Sequence, residues 1–123
     1  MRMARILVVD DSPTEQHRLV NALAREGHQV LTAATGNDGV EMASVEQPDV
    51  ILMDVVMPGI NGFQATRQIT RGEGTAHIPV IIVSSKDQDA DKVWGGRQGA
   101  CGYLTKPVDE RTLIAAVNGL LPS

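Results

Sequence analysis

Three carboxylates, a hydroxyl and an ammonium each stand directly after a short apolar run in this sequence. Asp10-Asp11 follow Ile6 to Val9, Asp54 follows Val50 to Met53, Ser84-Ser85 follow Val80 to Val83, and Lys106-Pro107 follow Tyr103 to Thr105. If these side chains meet, the chemistry is constrained. Two carboxylates about 4 Å apart repel by roughly 4 kcal/mol at an effective dielectric of about 20, so three of them need protons or a cation. An all-oxygen donor set without His or Cys suits Mg²⁺, with Mn²⁺ as a substitute, rather than zinc. Mg²⁺ takes one or two carboxylates beside waters and phosphate oxygens, which leaves a carboxylate free to act as a nucleophile. A carboxylate that attacks phosphorus gives an acyl phosphate, provided the metal and a nearby cation neutralise the phosphoryl oxygens. In that scheme Asp54 is the acceptor, Lys106 the cation, and Ser84 a hydroxyl donor that reports the phosphoryl group to the rest of the fold.

Each of these residues also has a plainer reading. Ser12 and Glu15 have the S-x-x-E spacing of a helix capping box, with Pro13 at the first helical position, so Ser12 and Asp11 could simply cap a helix. Asp10 is not covered by that account, because a charge ending a buried strand needs a partner. Asp54 alone reads equally well as a strand-terminating turn residue, and Lys106-Pro107 alone as a loop.

The elements that must position these side chains alternate in type. Apolar runs at Ile6 to Val9, Val30 to Ala33, Val50 to Met53, Val80 to Val83 and Tyr103 to Thr105 predict five strands. Between them lie segments of helical spacing, such as Gln16, Leu19, Val20 and Leu23, and Leu113, Ile114, Val117, Leu120 and Leu121, the last predicting a helix almost to Ser123. Strands apolar at successive positions, alternating with helices, predict an α/β fold with a parallel sheet covered on both faces. In such a sheet all strands end on one edge, where open α/β folds bind ligands, so Asp10, Asp11, Asp54, Ser84 and Lys106 are expected to converge.

Composition sets the remaining bounds. The 123 residues suit one domain and leave no room for an output domain, so residues 1–123 are read as a single unit. A net charge of −4 and only three aromatic residues, Phe63, Trp94 and Tyr103, argue against nucleic acid as a ligand. Cys101 excludes an internal disulfide, and no apolar run is long enough to span a membrane. The expectation is a cytoplasmic monomer. Cys101, between Ala100 and Gly102, is expected to be a small core residue. His17, His28 and His77 lack metal-ligand spacing and are expected to be solvated or structural. Met1 and Met3 are both candidate starts.

Together these residues resemble the receiver domain of two-component response regulators, over essentially the whole chain. The resemblance rests on Asp10-Asp11 after Ile-Leu-Val-Val, on Val50-Ile-Leu-Met-Asp54 followed by Met57-Pro58-Gly59 and Asn61-Gly62, on Pro79-Val-Ile-Ile-Val-Ser84, and on Gly99-Ala100 leading to Tyr103-Leu-Thr-Lys106-Pro107. It implies a (βα)5 doubly wound, flavodoxin-like sheet of strand order 2-1-3-4-5, and a Mg²⁺ site from Asp10, Asp11, Asp54 and the Val56 backbone carbonyl. It also implies phosphorylation of Asp54 by a histidine kinase of the CheA type or its phosphotransfer domain, a Ser84–Tyr103 switch pair, and a cis Lys106-Pro107 peptide. More narrowly, Ile78 to Asp109, with Lys86-Asp87-Gln88 and Lys92-Val93-Trp94-Gly95, resembles the twitching-motility regulators of type IV pilus chemosensory systems.

Departures from the family pattern carry further expectations. Val56 stands where an amide is common and Lys86 where an acid is common. Neither can orient an attacking water, so spontaneous dephosphorylation is expected to be slow. Val108 replaces an aromatic residue and is expected to loosen packing near Tyr103. Gly95-Gly96 costs a helix about 1 kcal/mol per glycine. Either the fourth helix ends at Trp94, or it is a marginal helix that presents Trp94, with Tyr103, to a partner.

The alternative function is a Mg²⁺-dependent aspartyl phosphohydrolase acting on small phosphate esters. Such enzymes place a second Asp two residues after the nucleophile, where this chain has Val56. No phosphate-binding loop of the G-x-x-x-x-G-K-[ST] type is present. Within the switch class, an output regulator that docks on a downstream protein and a phosphate sink that drains a shared kinase both remain open.

Overall fold

The computed structural model describes residues 3–121. Its elements alternate strictly: β1 (Arg5–Val9), α1 (Pro13–Arg25), β2 (Gln29–Ala33), α2 (Gly36–Glu46), β3 (Val50–Met53), α3 (Gly62–Arg71), β4 (Val80–Ser84), α4 (Asp89–Arg97), β5 (Gly102–Thr105) and α5 (Glu110–Asn118). All strand pairs are parallel, in the order β2-β1-β3-β4-β5. The expected (βα)5 doubly wound, flavodoxin-like sheet is therefore present.

Alternate strand residues feed two cores. Ile6, Val8, Val50, Leu52, Ile81 and Val83 face α1 and α5 and pack with Leu19, Leu23, Leu113 and Val117. Leu7, Val9, Ile51, Met53 and Val80 face the other way and pack with Ala43, Ala65 and Ile69 of α2 and α3. Full burial of one such side chain stabilises the fold by about 1.5–3 kcal/mol, so the two cores, rather than helix propensity, hold the strand ends in place.

Register then sets the level of each functional residue. Val9 pairs with Met53, so Asp10 and Asp54 leave the sheet side by side. Met53 pairs with Ile82, and Ser84 with Thr105, so β4 and β5 run past Asp54 and deliver Ser84 and Lys106 slightly above it.

The structure decides one open alternative and changes several local expectations. Of the two readings of the fourth helix, the one that runs on holds: it does not end at Trp94 but continues through Gly95-Gly96 to Arg97. Gly95 is buried, and a Cβ there would lie 2.9 Å from Ile82 Cδ1 and 3.3 Å from Tyr103 Cδ2. The missing side chain is what lets α4 lie against the sheet. The last helix stops at Asn118, before the expected Leu120 and Leu121, which still pack on the α1/α5 core. Ser123 and Met1 lie outside the described residues. Cys101 is exposed rather than in the core, because it precedes β5 and its thiol turns to the Val80 carbonyl at 3.4 Å. Val108 packs with the α1/α5 core, whereas Tyr103 packs against Val55, Phe63 and Ile82 on the opposite face, so Val108 cannot loosen Tyr103 directly. His28 is buried, its Nδ1 accepting the Ala4 N–H at 3.1 Å, while His17 and His77 are exposed.

Candidate functional site

At the carboxyl edge of the sheet Asp10 is fixed through every polar atom it has. Its N–H donates to the Ala33 carbonyl at 3.0 Å, which extends the β1–β2 ladder by one residue. Its Oδ1 accepts the Ser12 N–H at 2.9 Å, and its Oδ2 accepts the Lys106 ammonium at 2.9 Å. Ser12 caps α1 by accepting the Glu15 N–H, but the reciprocal bond of a capping box is absent because Asp10 has taken the Ser12 N–H. The helix cap and the acidic site thus share one turn.

Asp54 follows β3, its N–H donating to the Val9 carbonyl at 2.9 Å, and only 8% of it is exposed. Its Oδ1 lies 3.3 Å from Lys106 Nζ. Asp11 is exposed beside them. One carboxylate oxygen from each of Asp10, Asp11 and Asp54 lies within 4.8 Å of the others. Burial, and then the charge of Asp10, push the Asp54 carboxyl above its ordinary range, while Lys106 and the Val55 N–H oppose that rise only in part. Burial alone would lower the Lys106 ammonium, but its hydrogen bond to Asp10 and the charges of Asp54 and Asp10 outweigh this and raise it. One ammonium facing three carboxylates leaves negative charge uncompensated. A hard divalent cation fits that excess, and a purely oxygen donor set fits such a cation.

The loop after Asp54 is tied back to the start of α3. The Val55 carbonyl accepts the Gly62 N–H at 2.9 Å, and among the described residues no hydrogen bond reaches the Val56 carbonyl. The Val56 side chain is 61% exposed. Ser84 is fully buried; its Oγ accepts the Lys86 N–H at 3.1 Å, and the Tyr103 hydroxyl donates to the Lys86 carbonyl at 2.6 Å. The two expected switch residues are therefore linked through the backbone of one residue. Trp94 and Val93 are exposed together on α4. The Lys106-Pro107 peptide is cis, as the resemblance implied.

The comparisons with known proteins agree with this geometry. The family described as the response regulator receiver domain matches residues 6–118. This chain is a response regulator receiver. It is 64% identical over 119 residues to Protein PilH of Pseudomonas aeruginosa, covering 97% of this chain and 98% of that protein. It is 38% identical to the transcriptional regulatory protein AfsQ1 of Streptomyces coelicolor, where 97% of this chain covers 52% of the relative. The structure of the Vibrio cholerae chemotaxis protein CheY4 superposes with a TM-score of 0.91 at 30% identity, covering 98% of this chain and 100% of that one. As a receiver the chain is a phosphoacceptor switch rather than a catalytic enzyme, which sets aside the phosphohydrolase alternative. Membership of the family also implies a histidine kinase partner. No helix among the described residues is long and apolar enough to cross a membrane.

Two contributors escaped the sequence reading. Gln16 looked like part of a helical stripe, yet its Nε2 donates to the Asp10 and Ala33 carbonyls at 3.0 and 3.3 Å. Gly62 was part of a motif with no stated reason; a Cβ there would stand 1.9 Å from the Asp54 carbonyl oxygen. Nothing in a one-dimensional pattern marks either contact.

Proposed function

We propose that Asp54 accepts a phosphoryl group from a phosphohistidine of a CheA-like kinase or its phosphotransfer domain. The observation that carries this reading is the cluster of Asp10, Asp11 and Asp54 with oxygens within 4.8 Å, in which the Lys106 ammonium bridges Asp10 and Asp54. Asp10, Asp11, Asp54 and the Val56 carbonyl would hold Mg²⁺, or Mn²⁺ in its place. When bound, the ion supplies positive charge for the phosphoryl oxygens. Lys106 adds a second positive charge. It bonds Asp10 in this state, and its flexible stem lets it turn to a phosphoryl oxygen on Asp54.

Ser84 is the sensor in this scheme. Its Oγ accepts the Lys86 N–H, so when the hydroxyl turns to donate its proton to the phosphoryl group, the loop that accepts from Tyr103 turns with it. The surface so altered includes Trp94 and Tyr103, which we assign to partner contact. The near full-length likeness to Protein PilH and the resemblance of residues 78–109 to twitching-motility regulators support a cytoplasmic, monomeric, single-domain regulator in a type IV pilus chemosensory system.

The test is phosphotransfer from a purified phosphorylated kinase domain, followed by intact-protein mass. One phosphoryl group is expected with Mg²⁺ present, none with EDTA, and none on Asp54→Asn. Undiminished labelling of Asp54→Asn would overturn the assignment.

A further inference from the structure

We propose that Gln16 is a positioning residue for the acidic site, setting the backbone of Asp10 and Asp11 and thereby the affinity for the divalent cation. This deepens the reading of the site given above and rests on it.

The Gln16 amide reaches back from the first turn of α1 to the two carbonyls that end β1 and β2. Its Nε2 lies 3.0 Å from the Asp10 oxygen and 3.3 Å from the Ala33 oxygen. Both partners accept only, so the side chain must present its NH₂ group there. The Ala33 carbonyl already accepts the Asp10 N–H, and Gln16 supplies its second bond. The Asp10 carbonyl is the group that joins Asp10 to Asp11. Gln16 thus braces the peptide between two proposed ligands.

The bracing matters because the two ligands differ. Asp10 is buried and bonded through its N–H and both carboxylate oxygens, whereas Asp11 is exposed. Fixing the Asp10–Asp11 peptide lowers the freedom that Asp11 must lose on binding. The pair of neutral donors also holds the two carbonyl dipoles without adding charge near Lys106.

The experiment uses Mn²⁺ as probe, followed by the loss of its free-ion electron paramagnetic resonance signal, on the whole chain and on Gln16→Met, which keeps length and loses both donors. A parallel urea titration in EDTA reports folding. Gln16→Met is expected to bind Mn²⁺ roughly 3- to 10-fold more weakly, the worth of about one net hydrogen bond. Gln16→Leu, which likewise carries neither donor and adds no charge, is expected to weaken it by a similar factor. Equal Mn²⁺ affinity of folded Gln16→Met and the parent, even with a lower urea midpoint, overturns the proposal and leaves a merely structural bond. Should Gln16→Met not fold, equal affinity in folded Gln16→Leu overturns it likewise. Loss of parent binding on Asp11→Asn establishes the acidic site independently. If the parent itself does not bind Mn²⁺, the site reading fails first and this inference with it.

Discussion

Lys106 lies closer to Asp10 than to Asp54, at 2.9 Å against 3.3 Å, although Asp54 is the proposed acceptor. The ammonium therefore does structural work in this state by offsetting two buried carboxylates. Lys106→Met removes that offset while keeping the length of the stem. It is expected to destabilise the metal-free protein by about 2 kcal/mol, between the values typical of exposed and of fully buried pairs. Saturating Mg²⁺ should restore most of the loss. Urea unfolding in EDTA and in Mg²⁺ measures both quantities, and a loss that Mg²⁺ does not reduce would contradict the account.

Asp54 predicts a pH dependence whose sign can be fixed. Its carboxyl is raised above the ordinary 3.8, chiefly by burial and then by Asp10. Between 3.8 and the raised value the native state binds more protons than the unfolded state, so metal-free stability falls as pH rises through that window. Above it, ionised Asp54 carries the full cost. Asp54→Asn is thus expected to be more stable than the parent at neutral pH in EDTA and to lose this decline. Lys106 acts at the other end: its raised ammonium stabilises the fold below 10.5, and that contribution is lost as pH climbs through its folded value. Thermal melts across pH on both proteins check the signs.

Gly62 is required by contact rather than by backbone angle. A methyl group there would overlap the Asp54 carbonyl oxygen at 1.9 Å, and the second obstruction, Asp54 C at 2.7 Å, is also backbone. No side-chain rotation relieves it. Gly62→Ala must displace either α3 or the turn after Asp54, at about 3 kcal/mol. Divalent-ion affinity should fall as well, because the displaced turn carries Val55 and Val56. A folded Gly62→Ala protein with unchanged Mn²⁺ affinity would show that α3 alone had moved.

What could be read from the chain follows from the range of the forces involved. Strand ends were legible because apolar runs such as Val50 to Met53 stop where a charge begins, and parallel topology carries every such stop to one edge. The convergence of Asp10, Asp54 and Lys106 therefore needed no coordinates. Contacts made by backbone oxygens left no such mark. Gln16 served a helical stripe equally well as a bond to Asp10, and Cys101 was placed in the core because apolar neighbours suggested a strand that begins one residue later. The fourth helix stayed open between two readings for the reverse reason: glycine propensity argued for a break at Trp94, and only tertiary packing at Gly95, invisible in the sequence, decides for a helix that runs on.

That packing makes the two glycines separable. Gly96 has no atom within 4 Å of an added Cβ, so Gly96→Ala should stabilise the protein by about 0.5–1 kcal/mol through helix propensity alone. Gly95→Ala gains the same propensity but forces its methyl against Ile82 and Tyr103. It is expected to be destabilising by about 1–2 kcal/mol net. Paired chemical denaturation of the two variants distinguishes a packing role at Gly95 from a simple helix break, which would let both substitutions stabilise.

With Asp54 as the proposed acceptor, phosphoryl lifetime is expected to depend on the side chains of Val56 and Lys86. Val56 and Lys86 are both exposed, yet neither offers a neutral-pH acceptor to hold a water in line with Asp54. Water attack on the acyl phosphate is left without an orienting group. Val56→Asn supplies a carbonyl oxygen on the loop that begins two residues earlier at Asp54. It is expected to shorten the half-life of the phosphorylated protein about fivefold to tenfold, the worth of one orienting hydrogen bond in the transition state. Lys86→Glu should act in the same direction, since it exchanges a donor for an acceptor on the loop after Ser84. The decay of labelled protein after removal of the phosphodonor, in excess Mg²⁺, measures both. A half-life unchanged or lengthened in Val56→Asn would place the control of lifetime elsewhere in the site.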